Sequence, residues 1–136
     1  MKVLVAADAP WVRNQVRAAF VAPGQEVVEV ARGQDVRNAF AEHEPDLVIL
    51  DLNIGNMGGI AAALDLRLEE SAGRLGHATM LLLVDREADR FLAKRASVDA
   101  VLVKPVDAGT LRRAANRLLA GERIPSSSGS STTIES

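Results

Sequence analysis

The stretch from Pro45 to Gly59, PDLVILDLNIGNMGG, decides the fold of this chain. Its first part, Asp46–Asp51, is a continuous apolar run between two aspartates, which is the pattern of a strand buried on both faces. Its second part, Asn53–Gly59, is rich in glycine and must form a loop. The stretch therefore predicts a central strand that ends at Asp51 and opens into a loop.

Similar apolar runs lie on both sides of this stretch, and each is followed by a segment with helical spacing. The five predicted strands are Val3–Ala6, Val27–Val30, Asp46–Asp51, Ala78–Val84 and Ala100–Val103. Right-handed crossovers between parallel strands place helices above and below the sheet. The alternation therefore predicts an α/β fold, a three-layer sandwich around a five-stranded parallel sheet.

Each predicted helix carries apolar residues at spacings that would bring them to one face. The residues expected to face inward are Val12, Val16 and Phe20 in the first helix, Val36 and Phe40 in the second, Ile60, Leu64 and Leu68 in the third, Phe91 and Leu92 in the fourth (Glu87–Ala96), and Leu111, Ala114 or Ala115, Leu118 and Leu119 in the last. Asp107 is expected to cap the last helix.

The composition is that of one ordinary globular domain. The chain has 136 residues, of which 48% are hydrophobic and 25% charged, so a substantial core is expected. A domain over residues 1–121 uses almost the whole length, so no effector domain is expected. The formal charge of -2 provides no basic field for a polyanion, so direct DNA binding is not expected.

The ends and the cysteine content indicate where the chain resides. It has no cysteine, starts without a signal-peptide pattern, and has no apolar run near the ~20 residues that cross a bilayer. We therefore predict a cytoplasmic protein without membrane insertion. Residues 122–136 are rich in Ser and Thr and are predicted to be a flexible tail. The sequence allows three interpretations of this tail, which are a linker, a regulatory segment and an expression remnant.

Polar residues stand at the ends of the predicted strands, where open α/β sheets bind their ligands. Those positions hold Asp8, Asp51, the segment Leu82–Asp85, and Lys104. Two carboxylates that converge with a lysine form a hard-oxygen site suited to Mg²⁺ and a phosphoryl group. An aspartate can also act as the nucleophile and form an aspartyl phosphate.

With these residues in place, the chain resembles a response-regulator receiver domain over residues 1–121. The resemblance rests on the segment Asp8–Pro10, the stretch Pro45–Gly59 and the pair Lys104–Pro105. It implies a flavodoxin-like sheet with the strand order 2-1-3-4-5.

The resemblance also implies roles for the residues at the strand ends. Asp51 matches the phosphoacceptor, and Asp8 and Asp51 match Mg²⁺ ligands, with the backbone carbonyl of Asn53 as a further ligand. Lys104 matches the lysine that contacts the phosphoryl group. The Lys104–Pro105 peptide bond is expected to be cis, as in the family.

Three positions depart from the family pattern. The first residue of the acidic pair is Ala7, so one carboxylate is missing and Mg²⁺ binding is expected to be weak. Counted back without gaps from Lys104, the phosphoryl-binding Ser or Thr falls on Leu82 and the switching aromatic residue on Val101. A lost hydroxyl costs about 1 kcal/mol, so acceptor chemistry can survive without the family's usual relay.

Three further residues have two interpretations each. Asp8 could cap the first helix, a role that is compatible with holding a metal. Asp85 could approach the site, but a cap of the following helix is the favoured interpretation. Trp11 lies near the expected mouth of the site, where it could contact a partner or pack against the last helix.

The function predicted from these residues is that of a single-domain receiver in two-component signalling. It would accept a phosphoryl group on Asp51 from a histidine kinase or phosphotransfer protein and act by binding an unknown output protein, with a homodimer possible. One alternative is a pseudo-receiver that binds its partner constitutively. A weaker alternative is a flavodoxin-like or phosphatase-like enzyme that uses Asp51 in turnover.

Overall fold

Five parallel strands form one sheet in the order β2-β1-β3-β4-β5, which confirms the predicted order. The computed structural model describes residues 1–55 and 57–121. The segment predicted to be a flexible tail lies outside these residues. The strands are β1 (Lys2–Ala6), β2 (Glu26–Val30), β3 (Leu47–Asp51), β4 (Met80–Val84) and β5 (Ala100–Val103).

Helices cover both faces of the sheet and complete the three layers. They are α1 (Pro10–Ala19), α2 (Val36–His43), α3 (Gly59–Ser71), α4 (Leu92–Ala96) and α5 (Ala108–Leu119), with short 3-10 helices at Gly33–Asp35 and Glu87–Asp89. Side chains of α1 and α5 pack with one face of the sheet. Side chains of α2, α3 and α4 pack with the other. The core therefore consists of two apolar layers, separated by the buried strands β1, β3 and β4.

The predicted inward faces of three helices need correction. In α3 the buried residues include Ala62, Ala63 and Leu66, whereas Leu64 and Leu68 are exposed. Apolar residues occur all around this helix, and its small alanines allow the closest approach to the sheet. Phe91 and Leu119 are also exposed, because Phe91 precedes the short α4 and Leu119 is the last residue of α5.

The N-terminal cap positions of α1 and α5 test two predicted helix caps. The side chain of Asp107 accepts a hydrogen bond from the backbone N–H of Thr110 at 2.7 Å, which confirms Asp107 as the cap of α5. The cap position of α1 is Ala9, so the alternative in which Asp8 caps this helix is wrong. Among the helices of the described residues, none has both the length and the apolar character needed to span a membrane.

Candidate functional site

The carboxyl ends of four strands bring three carboxylates and one ammonium group to one edge of the sheet. Asp8 follows β1, Asp51 ends β3, Asp85 follows β4 and Lys104 follows β5. The strand register pairs Asp51 with Leu83 and Val84 with Val103. Asp85, the residue after Val84, therefore stands opposite Lys104. Parallel pairing therefore assembles the site from residues far apart in the sequence.

Asp51 is held by a direct contact with Lys104. The Nζ atom of Lys104 donates a hydrogen bond to Oδ1 of Asp51 at 2.6 Å, and the backbone N–H of Asn53 donates to the same oxygen at 3.2 Å. Asp51 is only 2% exposed, so the ion pair lies largely out of solvent. Within the described part of the chain, Oδ2 of Asp51 accepts no hydrogen bond. One oxygen is therefore anchored and the other is available for chemistry.

Asp85 is a member of this site, which corrects the favoured interpretation of it as a helix cap. Its Oδ1 lies 2.8 Å from Nζ of Lys104, and its Oδ2 accepts a hydrogen bond from the side-chain amide of Asn53 at 2.7 Å. The cap position of the following 3-10 helix is instead Arg86. Side chains alternate along a strand, so residues 83 and 85 share the face of Asp51. That alternation was the signal that could have placed Asp85.

The contacts between Lys104 and Asp85 favour the charged forms of these two groups. Burial lowers the pKa of the Lys104 ammonium, but hydrogen bonds to Asp51 and Asp85 raise it by more, so the pKa lies above its usual value. Hydrogen bonds from Lys104 and Asn53 hold the pKa of Asp85 below its usual value. The site therefore contains one ammonium shared by two carboxylates.

Trp11 stands beside this ammonium. Nζ of Lys104 lies 6.0 Å from the centroid of the Trp11 ring, within the range of a cation–π contact. The packing interpretation required the ring to belong to the apolar layer that α1 and α5 share. The ring is instead 52% exposed and does not belong to that layer. Trp11 is thus at the mouth of the site, and its contact with a partner stays a prediction.

The start of α1 fixes the backbone around Asp8. One guanidinium nitrogen of Arg13 donates to the carbonyl oxygens of Ala7 at 2.6 Å and Asp8 at 2.9 Å. A Cβ atom at Gly55 would lie 3.5 Å from Oδ1 of Asp8, which shows that the Asp8 carboxylate faces the loop after β3. The neighbouring Ala7 is completely buried in the apolar layer of α1 and α5.

The prediction that Leu82 stands where the family carries its phosphoryl-binding hydroxyl is wrong. Leu82 is buried in the middle of β4, where it pairs with Val101 in the core beside α4. The residue that reaches Lys104 is Asp85, directly after the end of β4. The gapless count assumed the family's usual spacing between β4 and β5, and the short α4 of this chain does not follow it. The Lys104–Pro105 peptide bond is cis, in agreement with the prediction.

The oxygen ligands at the site suit a hard cation but are few. Carboxylates and carbonyl oxygens are the ligands that Mg²⁺ prefers, and Asp8, Asp51 and the Asn53 carbonyl could supply them. Residues 1–55 and 57–121 contain no cluster of three or more His, Cys, Asp or Glu side chains arranged for a metal. The residues therefore fit Mg²⁺ with a reduced set of protein ligands.

Comparison with known proteins connects this geometry with a family. The family model described as "Response regulator receiver domain" matches residues 3–116. Chemotaxis protein CheY of Bacillus subtilis is 28% identical over 119 residues, which are 87% of this chain and 97% of the relative. Protein PilH of Pseudomonas aeruginosa is 26% identical over 120 residues, which are 88% of this chain and 98% of the relative.

Longer relatives and solved structures agree with this match. Aerobic respiration control protein ArcA of Escherichia coli is 27% identical over 86% of this chain but only 48% of the relative, so the chain spans about half of its length. A two-component response regulator of the LuxR family from Aurantimonas has a TM-score of 0.77 at 28% identity and covers 92% of this chain and 89% of its own.

A second solved structure shares the fold. It is the receiver domain of a sensor histidine kinase from Pseudomonas aeruginosa, solved with magnesium in its active-site cleft. Its TM-score is 0.73 at 24% identity, and the match covers 88% of this chain and 97% of that domain. With the family model matching most of its length, this chain belongs to the response regulator receiver domains.

Proposed function

We propose that this receiver accepts a phosphoryl group on Asp51 from a histidine kinase or phosphotransfer protein and then acts through contact with an output protein. Receiver domains are generally signalling proteins of two-component systems and interact with such kinases. The proposal places the chain in the cytoplasm and does not include catalytic turnover. The observation that carries it is the contact between Asp51 and Lys104, which anchors one carboxylate oxygen and leaves the other available.

The chemistry follows from this arrangement. The Oδ2 atom of Asp51 attacks phosphorus, the bond from phosphorus to the donor's imidazole nitrogen breaks, and the imidazole leaves with the bonding electron pair. Lys104 offers a positive charge where the negative charge of the transferred group accumulates. The low exposure of Asp51 and Lys104 strengthens this electrostatic contribution, because solvent screens it less.

A divalent cation would assist the same step. Mg²⁺, when bound, neutralises charge on the phosphoryl oxygens. Asp8, Asp51 and the backbone carbonyl of Asn53 are the residues that would hold it. Because Ala7 contributes no carboxylate, we expect this receiver to need more Mg²⁺ than a receiver with the full acidic pair.

Constitutive partner binding without phosphorylation is the second candidate function. It is supported by Asp85, whose carboxylate already contacts Lys104 in the unphosphorylated protein. In this alternative, the surface that the partner recognises is present before any phosphoryl transfer.

Intact-mass measurement after incubation with Mg²⁺ and acetyl phosphate tests the proposal. We expect an added mass of one phosphoryl group in the wild-type protein and none in Asp51→Asn. Asp46→Asn is the matched control, because Asp46 precedes β3 and its side chain accepts a hydrogen bond from the backbone of Lys2.

Each outcome of this experiment separates the candidates. An adduct in the control but not in Asp51→Asn supports phosphoryl acceptance at Asp51. An adduct of unchanged size in Asp51→Asn would place the chemistry elsewhere. Absence of an adduct under all conditions would favour constitutive binding, and many turnovers of acetyl phosphate per protein would favour an enzyme.

A further inference from the structure

We propose that Asp85 limits how tightly this site holds a phosphoryl group, because its carboxylate competes for the Lys104 ammonium. This inference rests on the proposed function of Asp51. It assigns a role to Asp85, which is distant from Lys104 in the sequence and is brought to the site by folding.

The competition is visible in the contacts of Lys104. Its Nζ atom lies 2.6 Å from Oδ1 of Asp51 and 2.8 Å from Oδ1 of Asp85. An ammonium group has three N–H donors, and these two carboxylates are the acidic side chains that it contacts within the described chain. The Lys104 side chain is 10% exposed, whereas the Asp85 side chain is 46% exposed. One nearly buried cation therefore serves two anions, one buried and one at the surface.

Phosphorylation changes the charge balance around this cation. The Asp51 carboxylate carries one negative charge, whereas its acyl phosphate carries close to two. Asp85 adds another negative charge in contact with the same ammonium. Like charges on one small site repel, and partial burial reduces the screening between them. The wild-type site therefore binds the added charge less well than a site with a neutral residue at position 85.

A carboxylate also differs from a hydroxyl in what it can donate. A hydroxyl supplies a proton to a phosphoryl oxygen, whereas an ionised carboxylate only accepts hydrogen bonds. Asp85 therefore offers the phosphoryl group no hydrogen bond, and its contact with Lys104 draws the ammonium away from that group.

Titration with beryllofluoride at fixed Mg²⁺ tests this competition. Asp85→Asn removes the charge and keeps the size and a hydrogen-bond acceptor for Lys104. We expect it to bind beryllofluoride about tenfold more tightly than the wild type, measured by calorimetry. Raising the salt concentration should narrow this difference, which a purely structural effect of the substitution would not do. Asp85→Thr provides a second neutral variant if Asp85→Asn fails to fold.

Glu87→Gln is the matched control. Glu87 lies two residues farther along, is exposed, and pairs with Arg90 instead of Lys104. We expect its affinity for beryllofluoride to equal that of the wild type. A separate Mg²⁺ titration excludes a metal effect, because removal of a carboxylate weakens cation binding and would act in the opposite direction.

The outcomes distinguish this inference from the proposed function. Tighter binding in Asp85→Asn alone supports the inference, including the case in which the wild type shows no binding. Equal or weaker binding in Asp85→Asn, or an equal gain in Glu87→Gln, overturns the inference and leaves phosphoryl acceptance by Asp51 intact. Absence of binding in every variant overturns both.

Discussion

The methyl group of Ala7 points into the apolar layer that α1 and α5 share with the sheet, and the residue is completely buried. Its backbone is held as well, since its N–H donates to the carbonyl of Val30 and its carbonyl accepts from Arg13. A side chain with a charge at this position would lie between the core and the site. The absence of the family's first acidic residue thus favours folding while it reduces the number of metal ligands.

Ala7→Asp should therefore make the stability of the protein depend on Mg²⁺. Without the cation, we expect the free energy of unfolding to fall by about 2 kcal/mol, because a carboxylate loses solvation beside apolar side chains. With Mg²⁺, part of this loss should be recovered, since the new carboxylate supplies a ligand. Thermal unfolding over a range of Mg²⁺ concentrations measures both effects.

The contrast with the wild type provides the control for this substitution. Mg²⁺ should raise the melting temperature of Ala7→Asp by more than it raises that of the wild type. Equal shifts in the two proteins would show that position 7 has no influence on the cation.

At the scale of single residues, the sequence predicted one contact of Lys104 but not the other. The contact of Asp51 with Lys104 was predictable, because both stand at strand ends on one edge of the sheet. The sequence allowed Asp85 to approach the site but favoured a helix cap, because the family's spacing placed Leu82 and not Asp85 at the phosphoryl-binding position. A side chain's neighbour depends on strand register, and one strand read alone does not specify its register.

Among the elements, the start of α3 is the one most tightly coupled to the site. A Cβ atom at Gly59 would overlap the backbone carbonyl of Asp51, so α3 can begin this close to β3 only with glycine at its first position. Gly33 plays a similar part on the other side of the loop, where a Cβ atom would overlap Met57. Two glycines therefore let the loop after β3 fold closely over the strand end.

Gly59→Ala should destabilise the protein although alanine favours helices. The added methyl group must push α3 away from Asp51, and we expect a loss of about 2 kcal/mol in the free energy of unfolding. Gly76→Ala is the control, because a Cβ atom there would meet no other atom within 4 Å. Denaturant unfolding of both variants measures the difference, and equal stability of the two would contradict the role given to Gly59.

The helix faces show where prediction from periodicity ends. The apolar spacing of α1 and α2 correctly predicted Val12, Val16, Val36 and Phe40 as buried. In α3 the same rule selected Leu64 and Leu68, which are exposed. Periodicity identifies a buried face only when the opposite face is polar, and α3 has apolar residues on both.

Across the whole molecule, Arg67 ties α3 to the end of the sheet opposite the site. Its guanidinium group donates to the backbone carbonyls of Ala78 at 2.7 Å and Ser97 at 2.8 Å. It also donates to the carboxylate of Asp99 at 3.1 Å, and that carboxylate accepts from the backbone of Met80. One side chain thus links α3 with the segments that lead into β4 and β5.

Arg67→Met should lower the free energy of unfolding by about 3 kcal/mol, because it leaves partly buried acceptors without their charged donor. Arg37→Met is the matched control, since Arg37 pairs with Asp65 at the surface and its loss should cost less than about 1 kcal/mol. Denaturant unfolding measures both values. Phosphoryl labelling of the folded Arg67→Met protein should be unchanged, and reduced labelling would contradict the separation of the two ends of the sheet.

The architecture as a whole was the most predictable level. Alternation of apolar runs and helical segments requires a parallel sheet with covered faces, whatever the individual side chains do. The strand order came from the family resemblance, because alternation alone allows more than one order.

The position of Trp11 has an optical consequence. The chain contains one tryptophan and no tyrosine, so its near-ultraviolet emission arises from a single indole ring. That ring lies 6.0 Å from the ammonium shared by Asp51 and Asp85. The excited state of indole has a large dipole, and the electric field of nearby charges shifts its emission wavelength. Trp11 is therefore an intrinsic fluorescent probe beside the site, and its emission wavelength reports changes of charge there without any attached dye.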